Sequence, residues 1–273
     1  MNIKTVRKRV KRPVATFAER LKWLFKTSSH DSVYFYTFHK CASSLFSGYV
    51  LKNIEGLRHV DYARQIYRGK SPRLEFKETG HVYGPIRISV DRMSPVYETL
   101  VRPVTNEEFI RDKIAIFLVR DPRDILVSAY YSFGYTHGFS RVKEIRARQM
   151  TVRDDIQTKT VDDYALNSAD VIQRNFEKVY KLSRVCKRSS ILKYETMITD
   201  FDEFADLLTR HVNLKTTVVR QIFERSRPKT KIDTSSHRRS GKPGGFRSAL
   251  KEDTVNVLNQ KFEDTLEQFY YQM

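Results

Sequence analysis

The stretch Val33-Tyr34-Phe35-Tyr36-Thr37-Phe38-His39-Lys40-Cys41-Ala42-Ser43-Ser44-Leu45 constrains the fold more than any other part of the chain. An aromatic, β-branched run stops at a lysine. Small and hydroxyl residues follow, and a helical pattern then opens. That order predicts a strand bending into a helix N-terminus. Backbone N–H groups and the helix dipole favour an anion there, and Lys40 adds a mobile charge. The chain contains no Gly-x-x-x-x-Gly-Lys-[Ser/Thr] run. The bend is therefore not an ordinary ATP or GTP loop, and another phosphorylated ligand is implied.

Two further stretches answer the first. Ile114–Val119 reads as a fully buried strand, followed by Arg120-Asp121-Pro122-Arg123-Asp124-Ile125-Leu126-Val127-Ser128. Pro122 suits a first helical position, with Asp121 as its cap. Arg120 leaves the strand end and Ser128 falls in the second turn of the helix. Guanidinium matches phosphate oxygens in a bidentate way, so this corner suits a second phosphate. The other stretch, His237-Arg238-Arg239-Ser240-Gly241-Lys242-Pro243-Gly244-Gly245-Phe246-Arg247, is rich in cations and glycine. Its backbone can close over an anion.

In this order the three stretches resemble the sulfotransferases that use 3′-phosphoadenosine 5′-phosphosulfate (PAPS). His39–Leu45 is similar to their 5′-phosphosulfate loop, with the lysine and hydroxyl pair kept and Ala42 in place of a glycine. Arg120 and Ser128 fall on the two positions of the 3′-phosphate motif. Arg239, Gly241, Gly244 and Phe246 are in register with the third motif, where Ser240 replaces a lysine and Phe246 a tryptophan. Tyr194 resembles a tyrosine that packs near the adenine, and Ser226 is a weaker match to a hydroxyl near the same ring.

The resemblance implies a three-layer α/β/α fold with a mostly parallel sheet. It implies PAPS as co-substrate and no metal. The contacts it implies are Lys40, Cys41, Ala42, Ser43, Ser44, Leu45, Arg120, Ser128, Tyr194, Arg238, Arg239, Ser240 and Gly241. Lys40 would stabilise the leaving oxygen. His81, in Thr79-Gly80-His81, is the expected base, with His59 as the alternative. His39 is expected to turn away by strand alternation. The competing readings are a nucleotide kinase-like enzyme and a non-catalytic basic module that binds nucleotide or anionic surfaces. The acceptor stays open among small molecules, glycans and lipids, as does the oligomeric state.

Composition fits a folded domain. The chain has 273 residues, 40% of them hydrophobic, and a net charge of +18. A donor carrying several negative charges needs cations, as do acidic acceptors and anionic membranes. No helix-turn-helix, zinc-finger or RNA-binding aromatic motif points to nucleic acid. Cys41 and Cys186 are the two cysteines and form no disulfide framework, which favours a reducing, cytoplasmic setting. Cys41, beside Lys40 at a helix start, is either a reactive thiol or simply a small residue.

Residues 1–30 read as a basic arm ahead of a single domain over 31–273. Phe17, Leu21, Leu24 and Phe25 recur there at helical spacing. Such a helix either packs on the domain, the preferred reading, or lies on an anionic membrane surface. Periodicity further predicts helices over Ser43–Ile54, Arg123–Phe133, Val161–Ser183, Phe201–His211, Leu214–Arg225 and Ala249–Gln268. Strands are expected at Val33–Phe38, Ile114–Val119 and Ile191–Tyr194. Gly134–Thr151 reads as irregular, Tyr83–Arg87 as a loop at a strand end, and Gly56–Gly80 gives no assignment. Arg123 and Asp124 are expected to pair on a helix surface.

Overall fold

The computed structural model describes residues 29–88, 100–228 and 241–272. Most of the basic arm, and His237, Arg238, Arg239 and Ser240, lie outside the described residues. Among the described residues five strands form one sheet: β1 (Val33–Thr37), β2 (Arg58–Val60), β3 (His81–Arg87), β4 (Ile114–Val119) and β5 (Arg188–Lys193). Their order is β2-β3-β1-β4-β5, and every pairing is parallel. Parallel strands need crossovers, and the crossover helices cover both faces.

Strand alternation in β1 shows how the layers are tied together. Phe35 stacks on Phe46 with ring centroids 4.5 Å apart, and Phe46 meets Phe204 edge-on. On the opposite face Tyr34 packs against Phe109, and Phe38, just past the strand, against Phe176 at 4.6 Å. Each fully buried aromatic ring contributes roughly 2–3 kcal/mol of transfer free energy. One short strand thereby anchors a helix layer on each side.

Leaving aside the short helical turns Arg102–Val104 and Glu107–Ile110, the helices that frame the site are, in chain order, α1 (Ser43–Gly48), α2 (Tyr62–Tyr67), α3 (Pro122–Tyr131), α4 (Lys143–Gln157) and α5 (Val161–Val185). Asp121 caps α3 by accepting the N–H of Arg123 at 2.9 Å, with Pro122 in the first turn, as the sequence predicts. Thr160 and Asp163 form a capping box at the start of α5. After β1 the chain turns toward the Phe46 face. After its neighbour β4 it turns into α3, which packs on α5 through Leu126, Val127, Ala165 and Ala169. Neighbouring strands thus send their connections to opposite faces, which opens a crevice at their C-terminal ends.

Several boundaries differ from the sequence reading. The expected Ser43–Ile54 helix ends at Gly48, and a short 3₁₀ turn, Val50–Lys52, follows. Gly134–Thr151 is not irregular throughout, because α4 begins at Lys143. The Ala249–Gln268 helix is three pieces, Phe246–Ala249, Glu252–Lys261 and Glu263–Gln268, the last two broken at buried Phe262. Tyr83–Arg87 lies inside β3. The β1–β3 register shifts between Tyr34 and Tyr36, opposite Gly84. A Cβ on Gly84 would sit 2.7 Å from the Phe35 carbonyl oxygen, so only glycine admits this bulge. Among the described residues no helix is long and apolar enough to cross a membrane.

Candidate functional site

The crevice holds a cavity of about 1120 Å³. The bend after β1 forms one wall. Lys40 and Ala42 both take left-handed backbone, with φ of 70° and 53°, on either side of Cys41. Such reversals turn successive N–H groups toward a common concavity. The Leu45 N–H bonds back to the Ala42 carbonyl at 2.8 Å. Leu45 therefore does not offer the donor expected of it, and those of Ala42, Ser43 and Ser44 remain for a ligand. With only six residues, α1 also brings a weaker dipole than the sequence suggests. The full charges around it matter more.

Arg120 forms the second wall. Because β1 and β4 pair with Thr37 opposite Leu118, Arg120 emerges level with the Lys40 bend. Its Nη1 donates to the Lys40 carbonyl at 3.1 Å and its Nη2 to Asp124 Oδ2 at 3.3 Å. Its guanidinium lies over the Tyr194 ring at 4.5 Å. Burial works against the charge, yet Asp124, Tyr194 and Glu195 outweigh it and hold Arg120 cationic. The Arg120 Nε is buried and has no hydrogen-bond partner. Ser128, half-buried one turn beyond Asp124, faces the same cavity.

Asp124 joins the third stretch to this wall. Its Oδ2 also accepts the Gly244 N–H at 2.8 Å, and its Oδ1 accepts the Phe246 N–H at 3.0 Å. Tyr194 Oη donates to the Gly241 carbonyl at 2.6 Å. The expected Arg123–Asp124 surface pair does not exist. Arg123 is 1% exposed and pairs with Asp121 at 2.7 Å, stacks on Phe246, and donates to Asn259 and to the Gln272 carbonyl. The two motif residues diverge because Asp121 captures Arg123 within its own cap.

Of the residues singled out from sequence, Lys40, Ala42, Ser43, Ser44, Leu45, Arg120, Ser128, Tyr194, Ser226 and Gly241 line the cavity together. Cys41 does not. Its side chain is fully buried, and burial pushes the thiol up to about 12, which removes any case for reactivity. His81 stands apart from the cavity lining as well. It opens β3, paired beside the start of β1, whereas Lys40 lies beyond the end of β1. At about 3.3 Å per residue the two are separated by roughly 15 Å or more. His81 Nδ1 bonds the Thr79 carbonyl, and its ring stacks on Tyr83. His59 Nε2 bonds the Gly84 carbonyl and is likewise absent from the lining.

The cavity brings its own histidines. His39 and His137 both line it, with Phe133 edge-on to each at 5.4 Å. Burial, helped by Arg87 and His137, holds His39 well below the ordinary histidine range, so it is neutral at physiological pH. His39 lies past the end of β1, where strand alternation no longer sets its direction. Arg87 and Glu195 are also new. Arg87 ends β3, lines the cavity, and donates to Ser43 Oγ at 3.3 Å. Burial of Glu195, behind Arg120, raises its carboxyl to about 7. Its Oε1 accepts the Asp121 N–H at 3.0 Å. Among the described residues no group of three His, Cys, Asp or Glu side chains could hold a metal ion.

No protein-family model matches the chain, and no curated protein matches it in sequence. Solved structures do match. Mouse sulfotransferase SULT7A1, complexed with PAP, superposes with a TM-score of 0.54 at 13% identity, over 86% of this chain and 84% of that one. The fold is that of the sulfotransferases. Retinol dehydratase, in a complex with retinol and PAP, aligns at a TM-score of 0.46 and 14% identity, over 86% of this chain and 81% of that one.

Proposed function

We propose that this chain is a sulfotransferase that moves a sulfuryl group from PAPS to an acceptor hydroxyl or amine. One observation carries the reading. The Lys40 bend, the Arg120–Asp124 corner and the Gly241–Phe246 loop converge on one cavity and are bonded to one another. The buried, unpartnered Arg120 Nε in that wall suits an anionic ligand oxygen.

In this reading the N–H groups of Ala42, Ser43 and Ser44, with the Ser44 hydroxyl, hold the 5′-phosphate. Arg120 and Ser128 hold the 3′-phosphate. Arg239 and its neighbours Arg238 and Ser240 keep the role the resemblance gives them. The acceptor oxygen forms a bond to sulfur while the bridging oxygen–sulfur bond breaks, and adenosine 3′,5′-bisphosphate departs. Charge builds on the bridging oxygen, and the Lys40 ammonium stabilises it more in the transition state than in the ground state. The acceptor proton passes to an imidazole of the cavity, His39 or His137, in place of His81.

The test is transfer of labelled sulfate from PAPS into an extract of the native cell. The parent chain is expected to label an acceptor and the Lys40→Ala variant is not. Equal labelling by both, or none by the parent, overturns the reading.

A further inference from the structure

Among the described residues, nine lysines and arginines line the cavity against two carboxylates. Both carboxylates are engaged. Asp124 serves Arg120 and the Gly244 and Phe246 N–H groups. Asp61 accepts the Arg64 N–H and the Ser47 hydroxyl, each at 2.8 Å. The lining is therefore strongly electropositive, and a concave low-dielectric wall concentrates that field.

The sheet order places six of these cations in two groups. Lys40 and Arg120 stand at the ends of β1 and β4, where the proposed donor phosphates sit. Arg87 ends β3, on the other side of β1, and Arg64 and Arg68 belong to α2 and its C-terminal cap, just after β2. Arg141 faces them from a segment tied to α2 by the Ser140 hydroxyl, which donates to the Tyr67 carbonyl at 2.9 Å. Among the described residues none of these four arginines forms an ion pair with a carboxylate. The Arg87 Nε is buried without any hydrogen-bond partner. Beyond its bond to Ser43 and the more distant charge of Asp61, this guanidinium, withdrawn from water, has no carboxylate in ion-pair contact, and an anionic ligand offsets the cost of its burial.

Among the described residues, the same half of the cavity offers the aromatic side chains of Tyr67 and Phe139. Tyr67 and Phe139 line it, and Phe139 is 40% exposed with Arg153 stacked 4.1 Å from its ring. Among the described residues the aliphatic lining side chains, Leu45, Val127 and Met197, all stand on the donor side. A hydrophilic ligand with flat faces suits such walls.

Building on the sulfotransferase reading, we propose that the acceptor is an acidic saccharide. Its carboxylates or sulfates are held by Arg64, Arg68, Arg87 and Arg141, and a sugar face lies on Tyr67 or Phe139. The sulfuryl group then arrives on a hydroxyl of a molecule that already carries negative charge.

The test measures binding by fluorescence anisotropy in the presence of saturating adenosine 3′,5′-bisphosphate. The probes are labelled uronate-bearing and sulfated oligosaccharides, their carboxyl-reduced and desulfated counterparts, and phosphatidylglycerol vesicles. Acidic oligosaccharides are expected to bind at least about tenfold more tightly than their neutral counterparts. The double variant of half-buried Arg64 and exposed Arg68, Arg64→Ser with Arg68→Ser, is expected to lose about tenfold of that affinity while keeping its affinity for the bisphosphate. Equal binding of neutral and acidic probes, preference for vesicles, or an unaffected double variant overturns the proposal. Loss of bisphosphate binding by the parent chain would instead overturn the sulfotransferase reading beneath it.

Discussion

Asp124 Oδ1 accepts the backbone N–H of Phe246 at 3.0 Å, across 122 residues of chain. The other oxygen of the same carboxylate takes the Gly244 N–H and the Arg120 guanidinium. One buried side chain therefore positions both a cationic corner and a glycine-rich loop. Asp124→Asn keeps the shape but removes the charge and turns one acceptor into a donor. It is expected to cost about 3 kcal/mol of stability. Urea denaturation reads that loss. Calorimetry is expected to show about tenfold weaker binding of adenosine 3′,5′-bisphosphate. An unchanged midpoint would mean that the loop is held by other contacts.

Ala42 occupies left-handed backbone, where a Cβ is strained by about 1–2 kcal/mol. Glycine relieves that strain but makes the unfolded chain freer by up to about 1 kcal/mol. Ala42→Gly is therefore expected to stabilise the protein by about 0.5 kcal/mol. A right-handed residue at this position would instead lose about 1 kcal/mol on the same change. Thermal melting of the two proteins distinguishes these signs.

Burial raises Glu195 from its ordinary 4.5 to about 7. The folded pKa lies above the unfolded one, so between those values the folded chain keeps a proton that the unfolded chain has released. The associated stability is fully present below pH 4.5 and is lost as pH rises through about 7. Glu195→Gln removes this dependence. Relative to the parent it is expected to gain on the order of 2 kcal/mol at alkaline pH and little in acid. Melting temperatures of both proteins across this range give the answer, and parallel curves would refute the assignment.

The strand-to-helix bend and the capped helix after Arg120 are legible because each rests on local chemistry, whereas the parallel sheet follows from the resemblance. Aromatic and β-branched runs mark buried strands, and Asp121-Pro122 marks a helix start. The hidden features depend on tertiary placement. In α4 only Ile145 and Ile156 are buried, so its apolar period is faint among charged residues. Gly84-Pro85 reads as a loop because nothing local announces a bulge inside a strand. His81 attracted attention by its neighbours in sequence, whereas parallel pairing sends it to the wrong end of β3. Arg87, six residues further along the same strand, is the residue that arrives at the cavity.

The histidines separate cleanly in kinetics. His81→Ala is expected to keep kcat within about twofold of the parent. His39→Ala or His137→Ala is expected to lower kcat about a hundredfold if its imidazole takes the acceptor proton. The pH profile of the affected variant should lose its acidic limb. A large loss in His81→Ala alone would return the base to β3 and contradict the geometry of the sheet.

The central claim is a double grip on one adenylate, and the most direct measurement is calorimetric titration with adenosine 3′,5′-bisphosphate, 5′-AMP, 3′-AMP and ATP. Removing either phosphate from the bisphosphate is expected to weaken binding by about tenfold to a hundredfold. Ser128→Ala, the milder change in the Arg120 corner, is expected to erode only the preference for a 3′-phosphate. Binding of ATP or 5′-AMP as tight as that of the bisphosphate, unchanged in Ser128→Ala, would contradict the account.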